Sequence, residues 1–246
     1  MSTSLRHFPP RDGDGDARWT ALCFAHAGAG TTPFAPWRRS LPDWVDLFAF
    51  LAPGREERQA EPALRCVEAL VADAMPDILG LASPLVLIGH SFGACLAFEV
   101  AHTLVACGRP PGHLVILGAA APGHRSPPRI DDDRGIEETL MRLGADTSPL
   151  ARPEVRAMIL PSLRADFAAQ IAYWPLPRDP LPVPVSVFYG QDDPSMTAED
   201  AHAWKRACSE DCEVMAVRGG HFFPRECRDV VIAAVIRRLS PLPSTI

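Results

Sequence analysis

The sequence has little with which to hold nucleic acid. Its 246 residues carry 24 Lys and Arg against 30 Asp and Glu, a formal charge of −6, whereas phosphate affinity wants a basic face. Lys205 is the only lysine, and no basic run of about five to eight residues occurs. Asparagine is absent while Arg, Ala and Pro abound, a usage that reflects a GC-rich coding sequence more than a function. Long apolar runs are also missing. Val230–Ile236 falls far short of the roughly 18 to 20 residues of a spanning helix, so no membrane association is expected, and Met1–Asp16 holds no apolar core of a secretory signal. The cysteines (Cys23, Cys66, Cys95, Cys107, Cys208, Cys212 and Cys227) are odd in number and scattered. That excludes a disulfide framework and points to free thiols in the cytoplasm. Only Cys208 and Cys212 are close, and without a paired histidine motif they make a weak zinc signal. No metal is expected.

What is present is an ordinary globular composition, 47% hydrophobic and 22% charged, on a chain long enough to bury a large core. Asp12-Gly13-Asp14-Gly15-Asp16 begins like a calcium loop. Ala17 stands where its tight-turn glycine belongs, however, and Cys23 where its bidentate glutamate belongs. Residues 1–19 are therefore expected to be a flexible tail, and 20–246 a single domain.

Beyond the tail, short apolar runs read as buried strands: Ala21–Ala25, Leu47–Leu51, Leu85–Ile88, Leu114–Leu117, Val183–Tyr189 and Val214–Val217. Helical patterns lie between them. Ala63–Leu81 places Leu64, Val67, Leu70 and Val71 at a 3.6 period, and Pro76 should kink or end it. Ala94–Ala106 is almost wholly apolar, as a helix buried against a sheet should be. Thr197–Ala207 opens on an approximate capping box of Thr197 and Asp200, and Val230–Leu239 ends on Arg237 and Arg238, where cations suit the helix dipole. This alternation predicts an α/β fold with a mostly parallel sheet flanked by helices. From Gly123 to Leu181 the strand pattern stops, and helical patterns take over at Ile136, Leu140 and Leu143, at Val155, Ile159 and Leu160, and at Leu163, Phe167, Ile171 and Trp174. Such an insertion is a second packing layer or a lid over the ligand edge of the sheet, here at about residues 123–182.

The most informative segment is Pro84–Ala94, an apolar strand, then Gly89-His90-Ser91-Phe92-Gly93, then an apolar helix. A nucleophile elbow needs this arrangement: the serine sits on a strained turn, and the flanking glycines let strand and helix approach. A serine nucleophile needs a base and the base an orienting acid, in the chain order serine, acid, histidine. Of eight histidines, His221 follows the last predicted strand on the loop Gly219-Gly220-His221. Gly190-Gln191-Asp192-Asp193-Pro194 follows the preceding strand and offers the acid, with Asp192 and Asp193 indistinguishable by spacing. An oxyanion hole wants two backbone N–H groups. One is that of Phe92, and the loop of Phe24–Gly30 can furnish the other.

In this order the motifs resemble those of a stand-alone type II thioesterase, an α/β-hydrolase accompanying polyketide synthases and non-ribosomal peptide synthetases. The resemblance runs from Leu22 to about Leu239 and rests on Cys23–Gly28, Leu51–Glu56, Gly89–Ala94, Leu160–Phe167, Gly190–Pro194 and Gly219–Phe223. Leu160-Pro-Ser-Leu-Arg-Ala-Asp-Phe167 is the specific segment, since a generic serine hydrolase has no reason to carry it. The resemblance makes Ser91 the nucleophile, His221 the base and Asp193, in preference to Asp192, the acid, with Ala27 and Phe92 supplying the oxyanion N–H groups. It makes the insertion a lid whose Leu140, Ile159, Phe167, Ile171 and Trp174 are candidates for an apolar acyl chamber. Phe92, bulkier than the methionine common there, is expected to bear on the width of that chamber. No metal or bound cofactor is implied, because the phosphopantetheine arm arrives on the partner, an acyl or peptidyl carrier protein. The implied activity is hydrolysis of acyl thioesters that stall an assembly line, by a monomer. The alternatives are a broader serine esterase or a chain-releasing thioesterase. Arg125, Arg129 and Arg134 are candidates to meet the acidic helices of a carrier.

Overall fold

The computed structural model describes residues 3–10, 17–81, 84–125, 130, 132–173 and 179–239. Seven strands form one sheet in the order β1-β3-β2-β4-β5-β6-β7: β1 (Leu5–Phe8), β2 (Trp19–Phe24), β3 (Val45–Phe50), β4 (Leu85–His90), β5 (His113–Leu117), β6 (Val185–Gly190) and β7 (Cys212–Val217). The β1–β3 pair is antiparallel, and the other five neighbouring pairs are parallel.

The central strands are buried throughout because both faces of the sheet are covered. Successive side chains point to opposite faces. Leu85, Leu87, Leu114 and Ile116 accordingly join one core with α1 (Val67–Leu79) and α2 (Phe92–Ala106). Val86, Ile88, Val115 and Leu117 join the other, with Phe34, Trp37 and the apolar stripe of α7 (Arg228–Leu239). The parallel registers Phe24↔Gly89, His90↔Leu117, Leu117↔Phe188 and Gly190↔Val217 line up the carboxyl ends of five strands. The loops leaving those ends share one edge, where ligands of open α/β sheets bind.

Three local expectations are corrected. The expected tail contains a strand: Leu5 is buried, the His7 ring stacks on Phe48 at 4.4 Å, and Ser4 N donates to Asp77 Oδ2 at 2.6 Å. Four residues that include Arg6 and His7 are too few and too polar to show a period, so the strand is formed by its partner, β3. Residues 11–16, with the calcium-like run, lie outside the described residues. Second, of the two outcomes expected at Pro76, the ending of the helix does not occur, since α1 continues to Leu79. The backbone bond it forfeits lies in the last turn, while buried Met75 and Ile78 hold that turn to the core. Third, the second and third helical patterns of the insertion fuse into one helix, α4 (Pro153–Ala172), across Pro161.

Between β5 and β6 the insertion supplies α3 (Asp133–Arg142) and α4, packed through a small cluster of Ile136, Leu160, Leu163 and Phe167. Outside that cluster, Arg164 forks onto Asp133 with two bonds of 2.6 Å, and Arg156 pairs with Glu137. The expected capping box is formed at α5 (Ala198–His202), between Thr197 and Asp200, and α6 (Phe223–Glu226) follows the β7 loop. Among the described residues no helix is long and apolar enough to cross a membrane.

Candidate active site

Ser91 occupies the turn between β4 and α2 with φ +54° and ψ −119°, a backbone state that side-chain-bearing residues rarely adopt. The glycines around it are required by close approach. A Cβ at Gly89 would lie 2.5 Å from Ala94 Cα, and one at Gly93 would lie 2.1 Å from the Phe24 carbonyl oxygen. The turn thus presses strand, helix and the end of β2 together. Phe92 is the first residue of α2, so its N–H has no partner within the helix.

The loop after β7 brings His221 to this hydroxyl, with Ser91 Oγ and His221 Nε2 2.9 Å apart. On the far side of the ring, Nδ1 is 2.8 Å from Asp193 Oδ2, on the turn after β6. The carboxylate fixes the tautomer: Nδ1 donates to Asp193, which leaves Nε2 free to accept the serine proton. Burial alone would raise the Asp193 carboxyl, but the bonds from His221 and Ser195 outweigh it and hold it below the usual carboxylate range. Asp192 is exposed, and its N–H donates to the Gly219 carbonyl. The structure therefore separates the two aspartates that spacing left equivalent. His90 braces the base from below, its Nε2 donating to the His221 carbonyl at 2.9 Å. Burial keeps the His90 ring neutral by pushing its pKa well below the ordinary histidine value.

Above the triad lies a cavity of about 350 Å³, within the range of small-molecule sites. Ser91, His221, His26 and Ala27 line its base, and Leu140 and Phe167 reach it from the insertion. A family model for the thioesterase domain matches residues 20–241. The chain belongs to the thioesterase family. Of curated relatives, the probable cadicidin biosynthesis thioesterase of Streptomyces griseus is 31% identical over 241 residues, which is 96% of this chain and 66% of that protein. Thioesterase PikA5 of Streptomyces venezuelae is 32% identical over 232 residues, 89% of this chain and 82% of that one. Among solved structures, the type II thioesterase BorB from the borrelidin biosynthetic cluster matches with a TM-score of 0.85 at 27% identity, covering 97% of this chain and 99% of that chain.

Within this thioesterase the geometry joins Ser91, Asp193 and His221 and sets Ala27 and Phe92 at the same edge. It divides the five chamber candidates. Leu140 and Phe167 line the cavity. Ile159 packs instead against the cluster between α3 and α4, Ile171 is half-buried and is not one of the lining residues, and Trp174 lies outside the described residues. The Phe92 ring, expected to bear on chamber width, is buried beneath the turn in the α1–α2 core and does not line the chamber. Cys95, Gln170 and Tyr173 do line it, and Tyr173 Oη donates to Glu99 Oε1 at 2.5 Å. These polar groups break the apolar lining that the sequence suggested.

Of the three arginines, Arg125 lines the cavity and pairs with Asp200 at 2.5 Å, Arg134 stands exposed and pairs with Glu138, and Arg129 lies outside the described residues. Among the described residues no group of three or more His, Cys, Asp or Glu is placed to hold a metal. Sequence reasoning missed Ser195. Its N–H and hydroxyl both donate to Asp193 Oδ1, at 2.8 and 2.6 Å, and so fix the carboxylate that faces His221 through Oδ2. Its position two residues after Asp193, where a short polar side chain folds back on an Asx-type turn, is the signal that could have found it.

Proposed function

We propose that this thioesterase hydrolyses acyl groups from the phosphopantetheine arm of acyl or peptidyl carrier proteins, clearing stalled or aberrant intermediates from polyketide or non-ribosomal peptide assembly lines. The observation that carries the proposal is the unbroken hydrogen-bonded line Asp193–His221–Ser91 at the foot of a chamber roofed by the insertion. Ser91 is the nucleophile. As Oγ bonds to the thioester carbon, its proton passes to His221 Nε2, and the new imidazolium is stabilised by Asp193. Negative charge gathers on the former carbonyl oxygen, which faces the N–H groups of Phe92 and Ala27. The C–S bond then breaks, and His221 returns the proton to the departing thiolate of the arm. A water molecule gives a proton to the same nitrogen and attacks the acyl-serine, and the proton returns to Ser91 Oγ as the acid leaves.

The chamber volume supports a small acyl group as cargo, and the insertion acts as the lid that receives the arm. The seven cysteines are all free thiols, in keeping with work beside cytoplasmic assembly lines. Intact-mass measurement after mixing with a panel of acyl-carrier proteins tests the proposal. The expected result is an acyl adduct on Ser91 with release of free holo-carrier, and neither from Ser91→Ala. Equal or faster turnover of the matching oxygen ester would overturn the thioester assignment in favour of a general esterase.

A further inference from the structure

The mechanism above leaves unused a buried ion pair beside the β2 loop. Arg55, just beyond β3, forks onto Asp166 of α4 with Nη1–Oδ2 and Nη2–Oδ1 bonds of 2.8 Å each. Asp166 is 1% exposed and Arg55 9%. Both side chains also hold the loop that carries Ala27. Gly28 N donates to Asp166 Oδ2 at 2.7 Å, and Arg55 Nη1 donates to the Ala29 carbonyl at 2.8 Å. On the other end of the same planar peptide, the Ala27 carbonyl is 3.1 Å from His26 Nδ1. The Ala27–Gly28 peptide plane is therefore clamped at its oxygen by the loop and at its nitrogen by the insertion helix. Gly28 itself has φ +77°, and a Cβ there would lie 2.3 Å from Leu163 Cδ2, on the same helix one turn before Asp166. The far end of the loop is held in turn by Glu56, which accepts from Thr31 N at 2.8 Å and from Thr31 Oγ1 at 2.6 Å.

A buried ion pair is a poor way to gain stability. Its desolvation cost offsets most of its attraction, and apolar residues of similar volume often replace it without loss. Here its two remaining bonds, from Gly28 N to Asp166 and from Arg55 to the Ala29 carbonyl, go to the backbone that borders one catalytic amide. We propose that Arg55 and Asp166 are positioning residues that shape the oxyanion hole from the insertion, so that α4 and the Ala27 loop behave as one rigid part. Ala27 then presents its N–H correctly only while α4 is seated. This inference rests on the thioesterase reading of Ser91.

The test uses the full chain with an acyl-carrier thioester, and a trifluoromethyl ketone analogue of the same acyl group, to which Ser91 adds to form a tetrahedral oxyanion. The variants are Asp166→Asn and the apolar double variant Arg55→Met with Asp166→Leu. The expected result is a fall in kcat of about 10- to 100-fold, somewhat less than outright removal of an oxyanion donor, with KM held within about threefold. Affinity for the ketone should fall in step with kcat, and the double variant should melt no lower than its parent. Turnover within about threefold of the parent in either folded variant overturns the proposal, as does ketone affinity that stays constant while kcat falls. Should neither variant fold, the pair is structural and the proposal is likewise overturned. Ser91→Ala separates the two levels. If it retains turnover, the reading of the site fails and this inference with it; if it is inactive while the double variant works normally, only the positioning role fails.

Discussion

Replacing Asp193 by asparagine removes one charge from the site and almost no volume, and the hydrogen bonds around it dictate how the amide must sit. Oδ1 of Asp193 accepts from Ser195 N at 2.8 Å and from Ser195 Oγ at 2.6 Å, whereas Oδ2 faces His221 Nδ1 at 2.8 Å. The Ser195 N–H is a fixed backbone donor, so the carbonyl oxygen of an asparagine is drawn to the Oδ1 position. Its NH2 group is then turned toward the imidazole. A donor facing Nδ1 converts that nitrogen into an acceptor and moves the ring proton to Nε2, the nitrogen that must take the Ser91 proton. The serine loses its base while every heavy atom stays in place. The same change of tautomer in a serine protease lowers kcat by about 10⁴, equivalent to about 5 kcal/mol at ~1.36 kcal/mol per decade. Steady-state hydrolysis of an acyl-carrier thioester by Asp193→Asn should show a loss of that order with a thermal midpoint near that of the parent. The exposed Asp192→Asn should stay within about twofold. A folded Asp193→Asn enzyme that loses less than about tenfold would refute the tautomer reasoning.

Three other outcomes are expected. Gly93→Ala places a methyl 2.1 Å from the Phe24 carbonyl, and the overpacking should cost at least about 3 kcal/mol and lower the thermal midpoint by about 6 to 12 °C; calorimetry showing no drop would mean the elbow can relax. Leu140→Ala widens the chamber roof, and each further methylene that finds room is worth about 0.8 kcal/mol, or about fourfold in kcat/KM. A panel of acyl lengths should shift toward longer chains, and an unchanged profile would remove Leu140 from the chamber wall. Burial depresses the imidazole pKa of His113 to about 4, and that of His90 well below its ordinary value. Unfolded imidazoles bind protons below about pH 6.5, so stability is full above that pH and falls as pH drops toward the folded values, by about 2 kcal/mol for His113 at about pH 5. Urea unfolding at about pH 7.5 and pH 5 checks this, equal stabilities being the contrary result, and His113→Gln should flatten the slope.

The parts of the molecule that were legible in advance are those in which local sequence and burial agree. β4 and β5 show as apolar runs because both their faces are covered, and the Ser91 turn shows because its two glycines stand within two residues of the serine, Gly89 demanded by Ala94 nearby in the chain and Gly93 by the Phe24 carbonyl of the adjacent β2. β1 did not show, since Leu5–Phe8 takes its conformation from β3, some forty positions away. Spacing could not choose between Asp192 and Asp193, because what separates them is which carboxylate turns inward on the tight turn after β6. Arg55 and Asp166 are 111 residues apart. Each stands in a motif the resemblance had already quoted, yet their partnership exists only once β3 and α4 meet over the β2 loop. Ile159 and Ile171 share a helical period with Phe167, and a period states which residues are covered but not by what.

The two walls of the chamber are fastened in different ways. Along the side that meets the scissile carbonyl, Asp166 and Arg55, both buried, hold Gly28 of the β2 loop. Along the opposite side, α3 meets α4 through the small cluster of Ile136, Leu160, Leu163 and Phe167 and, outside it, through Arg164–Asp133 and Arg156–Glu137, with Arg164 half exposed. Such solvated pairs contribute about 0 to 1 kcal/mol and are screened over about 8 Å at physiological salt. One wall is consequently stiff and the other compliant. An enzyme assembled like this can be strict about the bond it cuts while accommodating variety in what hangs from it, and its tolerance for bulky cargo should widen with added electrolyte.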